Sequence, residues 1–219
     1  MVHPRFPLAL RHLGVALFAT VALQGAYAAV SDAQFQAAFR QFQQALRGDD
    51  AAVDQAADSF GKLAQAEPAD PVLLAYAGAA QAMKARTTLM PWKKMGYADD
   101  GLAQIDKALQ LLQPAHDALM HRGTPASLET RFVAATTFLG MPPMFHREQR
   151  GAALLAQVLQ SPLFAQAPLP FQGAVWMRAA QQAQQAGKAD EARRWYEEVV
   201  HHQAPQAEAA RAKLAEIKA

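Results

Sequence analysis

The 219-residue chain contains no cysteine. Disulfide scaffolds, zinc ribbons and cysteine nucleophiles are therefore excluded. Isoleucine occurs only at Ile105 and Ile217, and serine only at Ser31, Ser59, Ser127 and Ser161. Charge is sparse as well, at 18% of residues. There is no G-x-S-x-G elbow, no H-E-x-x-H pair and no Gly-rich phosphate loop. What is abundant is alanine, at 51 positions. Alanine is the best helix former, whereas strands favour β-branched residues, so the composition argues against a β protein.

The first 28 residues read as a secretory signal. Arg5 and Arg11 make a positive start, Leu13 to Leu23 is an almost unbroken apolar run, and Ala26-Tyr27-Ala28 is a small-x-small cleavage site. The run is too short for the roughly 20 residues a membrane-crossing helix needs. The sequence thus predicts Sec export, cleavage after Ala28 and a periplasmic mature domain over 29–219 with no membrane span. Cleavage would also remove two arginines and no acid. That leaves 19 basic against 19 acidic residues, from 21 against 19 in the whole chain. A neutral domain gives no electrostatic reason to expect nucleic acid or an anionic membrane as a partner.

Past Ser31 the apolar residues recur at three and four: Phe35, Ala38, Phe39, Phe42, Ala45 and Leu46 share one helical face. Ser31 or Asp32 suits an N-cap, and Gly48-Asp49-Asp50 ends this helix and starts the next. Further helices are expected over about 51–66, 71–86, 98–113, 125–139, 147–160, 171–186, 189–202 and 205–218, separated by proline and glycine. Longer connections are expected at about 86–98 and 140–147. No window alternates like a half-buried strand, and the fold class is all-α.

Repeats refine that class. Trp176, Ala179, Ala180, Ala183 and Gly187, followed by Ala192, Tyr196 and Val199, spell W-x2-A-A-x2-A-x3-G and then A-x3-Y-x2-V. This resembles the tetratricopeptide repeat, although Ala183 stands where that pattern has tyrosine. Weaker echoes are Ala56, Phe60, Leu63 and Pro68, then Leu74, Ala77 and Gly78, then Leu102, Asp106, Leu109 and Pro114, and finally Leu128, Arg131, Phe132 and Ala135. The resemblance implies a right-handed α-solenoid of four helical pairs, about 32–67, 71–114, 125–160 and 171–204, with 205–218 as a cap. Trp176 and Tyr196 would fill the space between neighbouring pairs. The stretch Pro91-Trp92-Lys93-Lys94-Met95-Gly96-Tyr97 looks like that of a loose group of uncharacterised exported repeat proteins, a likeness that brings fold and location but no activity.

Asp106 and Arg131 fall on inward stripes of successive pairs. A buried lone charge is costly, so the expectation is an Asp106–Arg131 salt bridge between pairs, the alternative being a rotated helix with both charges in water; either is architectural rather than catalytic. Trp92 and Tyr97 either grip a ligand or pin their connection back on the fold. Met141, Met144 and His146 could ligate Cu(I), with Met120-His121 and His116 nearby in sequence, although methionines beside two prolines also make an ordinary packed turn.

In a solenoid the first helix of each pair lines the concave side. That lining is expected to hold Gln36, Arg40 and Gln43, then Ala79 and Met83, then Glu129, Val133 and Thr136, and last Met177, Gln181 and Gln184. Side-chain amides both donate and accept, which suits peptide backbone. The reading that results is a non-catalytic interaction scaffold, cofactor-free, monomeric or weakly self-associating, holding a peptide or an envelope protein. Its alternative is a Met/His copper-binding protein.

Overall fold

The computed structural model describes residues 30–217. The leader expected over 1–28 and its cleavage site lie outside them. Among the described residues the chain is all-helical except for one very short hairpin. The helices are α1 (Asp32–Leu46), α2 (Asp50–Ala66), α3 (Pro71–Thr87), α4 (Pro91–Gln110), α5 (Ala126–Gly140), α6 (Glu148–Gln160), α7 (Leu169–Gln185), α8 (Ala189–His201) and α9 (Ala207–Glu216). Strands β1 (Leu119–Met120) and β2 (Thr124–Pro125) pair antiparallel. No described helix is long and apolar enough to cross a membrane.

Local chemistry sets the helix starts. Ser31 forms a capping box with Gln34, satisfying orphan N–H groups reciprocally. The Asp49 side chain accepts from the Ala52 N–H, and Asp70 accepts from those of Val72 and Leu73. Pro71 follows Asp70 at the first helical position, where its missing N–H costs nothing.

The same rule corrects one expectation. Pro91 opens α4 instead of sitting in a connection over 86–98, so Trp92 to Tyr97 are helical and only Thr88–Met90 link α3 to α4. A proline read as a breaker is equally a starter when the residue before it is extended, as Met90 is here.

Helices adjacent in the chain pack together through the series, most closely α3 with α4. There the backbones nearly touch. A Cβ placed on Gly101 would lie 2.5 Å from the Gly78 carbonyl oxygen and 2.6 Å from the Ala82 nitrogen. Small residues on both faces allow that approach.

Alternate helices also meet. Phe35 and Phe42 of α1 set their rings edge-on to Tyr76 of α3 at 5.7 and 5.0 Å. Helix α3 packs on α5. Phe132 of α5 meets Phe171 of α7 at 5.4 Å. Aromatic pairs at these separations add to what area burial supplies. Helix α3 is enclosed: every residue from Pro71 to Ala80 is buried.

Candidate functional site

The densest polar cluster lies where the β1–β2 hairpin crosses α1, α3 and α5. Gly123, at φ +66°, permits the tight turn between the strands. His121 and Arg122 sit in that turn, next to each other in sequence, and reach different partners. The His121 ring stacks on Phe35 of α1 at 4.4 Å, and its Nε2 lies 2.7 Å from Oδ2 of Asp70, the cap of α3. The Arg122 guanidinium lies over Phe39 of α1 at 4.0 Å. Its Nη1 donates to Glu129 Oε1 of α5 at 3.1 Å and to the Tyr76 hydroxyl of α3 at 3.3 Å. Tyr76 in turn donates to Glu129 Oε1 at 2.8 Å.

Burial gives these contacts their weight. Glu129 is only 1% exposed, and its Oε2 has no hydrogen-bond partner among the described residues. Desolvation raises the Glu129 carboxyl above its ordinary value, and Arg122 and the Tyr76 hydroxyl pull it only partly back. For His121, burial acts to lower the imidazole, but the bond to Asp70 and the neighbouring carboxylates outweigh it, and the net shift is upward. Burial likewise pushes Tyr76 well above its usual range, which keeps it a hydroxyl donor. Two acids and two bases are thus gathered under a hairpin that ties three helices together. The neighbouring hydroxyl, Ser127, donates to Asp117 Oδ1 at 2.5 Å and is not aimed at His121.

Several residues stand differently from expectation. Glu129 does not line an open surface, because the hairpin covers it; Val133 and Ala79 are buried as well. Asp106 does not pair with Arg131. It binds Arg147 at 3.0 Å and Arg150 at 2.5 Å, while Arg131 donates to the Ser127 carbonyl one turn back on its own helix. The physical reason is reach. The turn after α5 brings two guanidinium groups to the half-exposed carboxylate, and Arg131 satisfies itself locally.

Trp176 is buried, edge-on to Phe164 at 5.8 Å and stacked on His202 at 4.9 Å. Tyr196 is fully buried and donates to Gln184 Oε1 of its own helical pair. Gln36, Arg40, Gln43, Gln181 and Gln184 are exposed, whereas Met83, Thr136 and Met177 are half-buried.

Met144 and Met95 line one open cleft of about 380 Å³ beside Asp106 and Arg147; neither Met141 nor His146 lines it. Met141 packs against the core and His146 is exposed in a left-handed turn. Among the described residues no three His, Asp or Glu side chains gather as a ligand set. One spacing escaped the motif reading: Ser59-x-x-Lys62 on α2 matches a pattern used in acyl transfer. There the Ser59 hydroxyl donates to Gln41 Oε1 at 2.7 Å, and Lys62 is exposed.

The clamp itself was partly legible. In the sequence His121 is one more possible copper ligand and Glu129 is groove lining. Asp70 carries no expectation there, although a position before Pro71 is the signal of a cap, and nothing local says that residue 121 meets residue 70. No family model matches the chain, and no curated protein or solved structure matches it either.

Proposed function

We propose that the chain is a right-handed α-solenoid of four tetratricopeptide-like helical pairs, capped by α9, and that it serves in the periplasm as a non-catalytic scaffold for a peptide or an envelope protein. The observation that carries this reading is a succession of contacts between alternate helices. Phe35 and Phe42 of α1 meet Tyr76 of α3, Tyr76 meets Glu129 of α5, and Phe132 of α5 meets Phe171 of α7, as a row of first helices would require. Stacked pairs present such a row as a binding face.

The hairpin at 119–125 occupies the α1–α3–α5 part of that face. Docking therefore falls to the α5–α7 end, on Thr136, Met177 and Gln181, with Gln184 already engaged by Tyr196. A photo-crosslinking residue placed at Gln181 or Met177 tests this in cells. Adducts of defined size are expected at both positions and not at Gln157, which is exposed on α6. Equal adduct formation at all three positions, or none at any, would refute the docking face.

A further inference from the structure

The start of α4 stands clear of the fold. Every residue from Pro91 to Gly96 is exposed, Tyr97 is half-buried, and Ala98 is the first buried position. At 20 residues α4 is the longest of the described helices. Its free tip carries large apolar side chains. Leu89 is 95% exposed and Trp92 75%, and Met90 and Met95 are each 43% exposed. Such a group in water loses the free energy its burial would supply, and a contiguous patch of this kind marks a surface that meets something. Trp92 does not pin the tip. That work falls to Tyr97, whose ring lies under the Lys84 ammonium at 5.2 Å, with Lys84 held by Asp54 at 3.0 Å.

Charge indicates what the tip meets. From Pro71 through Ala98 the chain has no aspartate or glutamate. Its cations there are Lys84, spent at the base, and Arg86, Lys93 and Lys94. The last three are exposed and make no ion pair among the described residues. The nearest acids in the chain, Asp99 and Asp100, lie further along α4, behind the tip.

We infer that the α3–α4 tip docks on an anionic lipid surface, with Trp92, Leu89 and Met90 entering the headgroup boundary and Arg86, Lys93 and Lys94 meeting lipid phosphates. A tip of two helical turns measures about 10 Å, which matches the roughly 5–10 Å to which interfacial helices sink. Lysine stems lie along the apolar boundary while their ammonium groups stay at the headgroups. This inference is independent of the scaffold reading, because it uses neither the row of first helices nor the α5–α7 face.

Trp92 fluorescence tests it, taken as the difference between the protein and its Trp92→Phe variant. Residues 1–28 contain no tryptophan, so the signal is blind to their apolar run. With phosphatidylglycerol vesicles the Trp92 component is expected to shift to shorter wavelength and to be quenched by brominated acyl chains. With phosphatidylcholine vesicles binding should be at least tenfold weaker. Each lysine is worth about fivefold, so Lys93→Glu with Lys94→Glu should weaken binding by tenfold or more at unchanged helix content, and Leu46→Ser, at an exposed apolar site elsewhere, should not. An unaltered Trp92 signal with anionic vesicles would overturn the inference. So would an equal response to both lipids, or a shift produced only by added envelope protein without lipid.

Discussion

Replacing Gly101 by alanine should destabilise the protein, although in most helices that exchange does the opposite. Alanine is favoured over glycine inside a helix by up to about 1 kcal/mol. Gly61 of α2 illustrates the ordinary case, since a Cβ there meets nothing within 4 Å. At Gly101 the added Cβ would lie 2.5 Å from the Gly78 oxygen, 2.6 Å from the Ala82 nitrogen and 2.8 Å from the Ala82 Cβ. Two of these atoms are backbone and none can rotate aside, so α3 and α4 must separate along a seam that is otherwise closely packed. Overpacking of this kind costs about 1–3 kcal/mol, and the upper end applies where backbone must move. After the propensity gain is subtracted, a net loss of about 2 kcal/mol remains. For a chain of this size that is a fall in Tm of roughly 4–8 °C. Gly61→Ala should instead raise Tm by a few degrees at most. Thermal and urea denaturation followed by far-UV circular dichroism read both variants on the same scale. Shifts of the same sign for Gly101→Ala and Gly61→Ala would refute the close helix approach.

The clamp should make stability depend on pH. His121 is raised above its ordinary value, so its contribution is complete below about pH 6.5 and is lost as pH rises through the folded-state value. The raised Glu129 carboxyl acts in the same sense at lower pH, because the folded state holds its proton longer than the unfolded chain does. Stability by urea titration is therefore expected to decline from mildly acidic to alkaline buffer, and His121→Gln should flatten the part of the slope that starts near pH 6.5; an unchanged slope would contradict the His121–Asp70 coupling. Trp176→Ala should cost about 3–5 kcal/mol by emptying a core site, whereas Trp92→Ala should stay within about 0.5 kcal/mol of the parent. Comparable losses at the two tryptophans would contradict their opposite burial.

The helices were legible because their ends are decided within a few residues. Ser31 with Gln34, Asp49 with Ala52 and Asp70 with Pro71 are short-range arrangements, and the breakers at Gly48 and Gly187 work through their own backbone angles. Alanine-rich faces at helical spacing then imply packing of helix on helix. Pro91 marks the limit of this local reading, because a proline is compatible with both the end of one element and the start of another. The extended backbone at Met90 made the choice, since α3 holds α4 through Gly78 and Ala82 at Gly101, well past the exposed residues at its start.

Partners distant in sequence were not legible at all. Asp106 had two candidate directions for its charge. The path of the turn after α5 brought it Arg147 and Arg150, and Arg131 closed on its own helix. Glu129 looked like surface on a helical wheel, but the hairpin covers it and ties it to Tyr76 and Arg122. By itself the sequence determined where helices start, stop and carry their apolar stripes, since propensity, caps and periodicity act over one or two turns. Only the tertiary structure decided which charges are buried and with whom, because that depends on how far each helix is rotated and where an intervening segment crosses it.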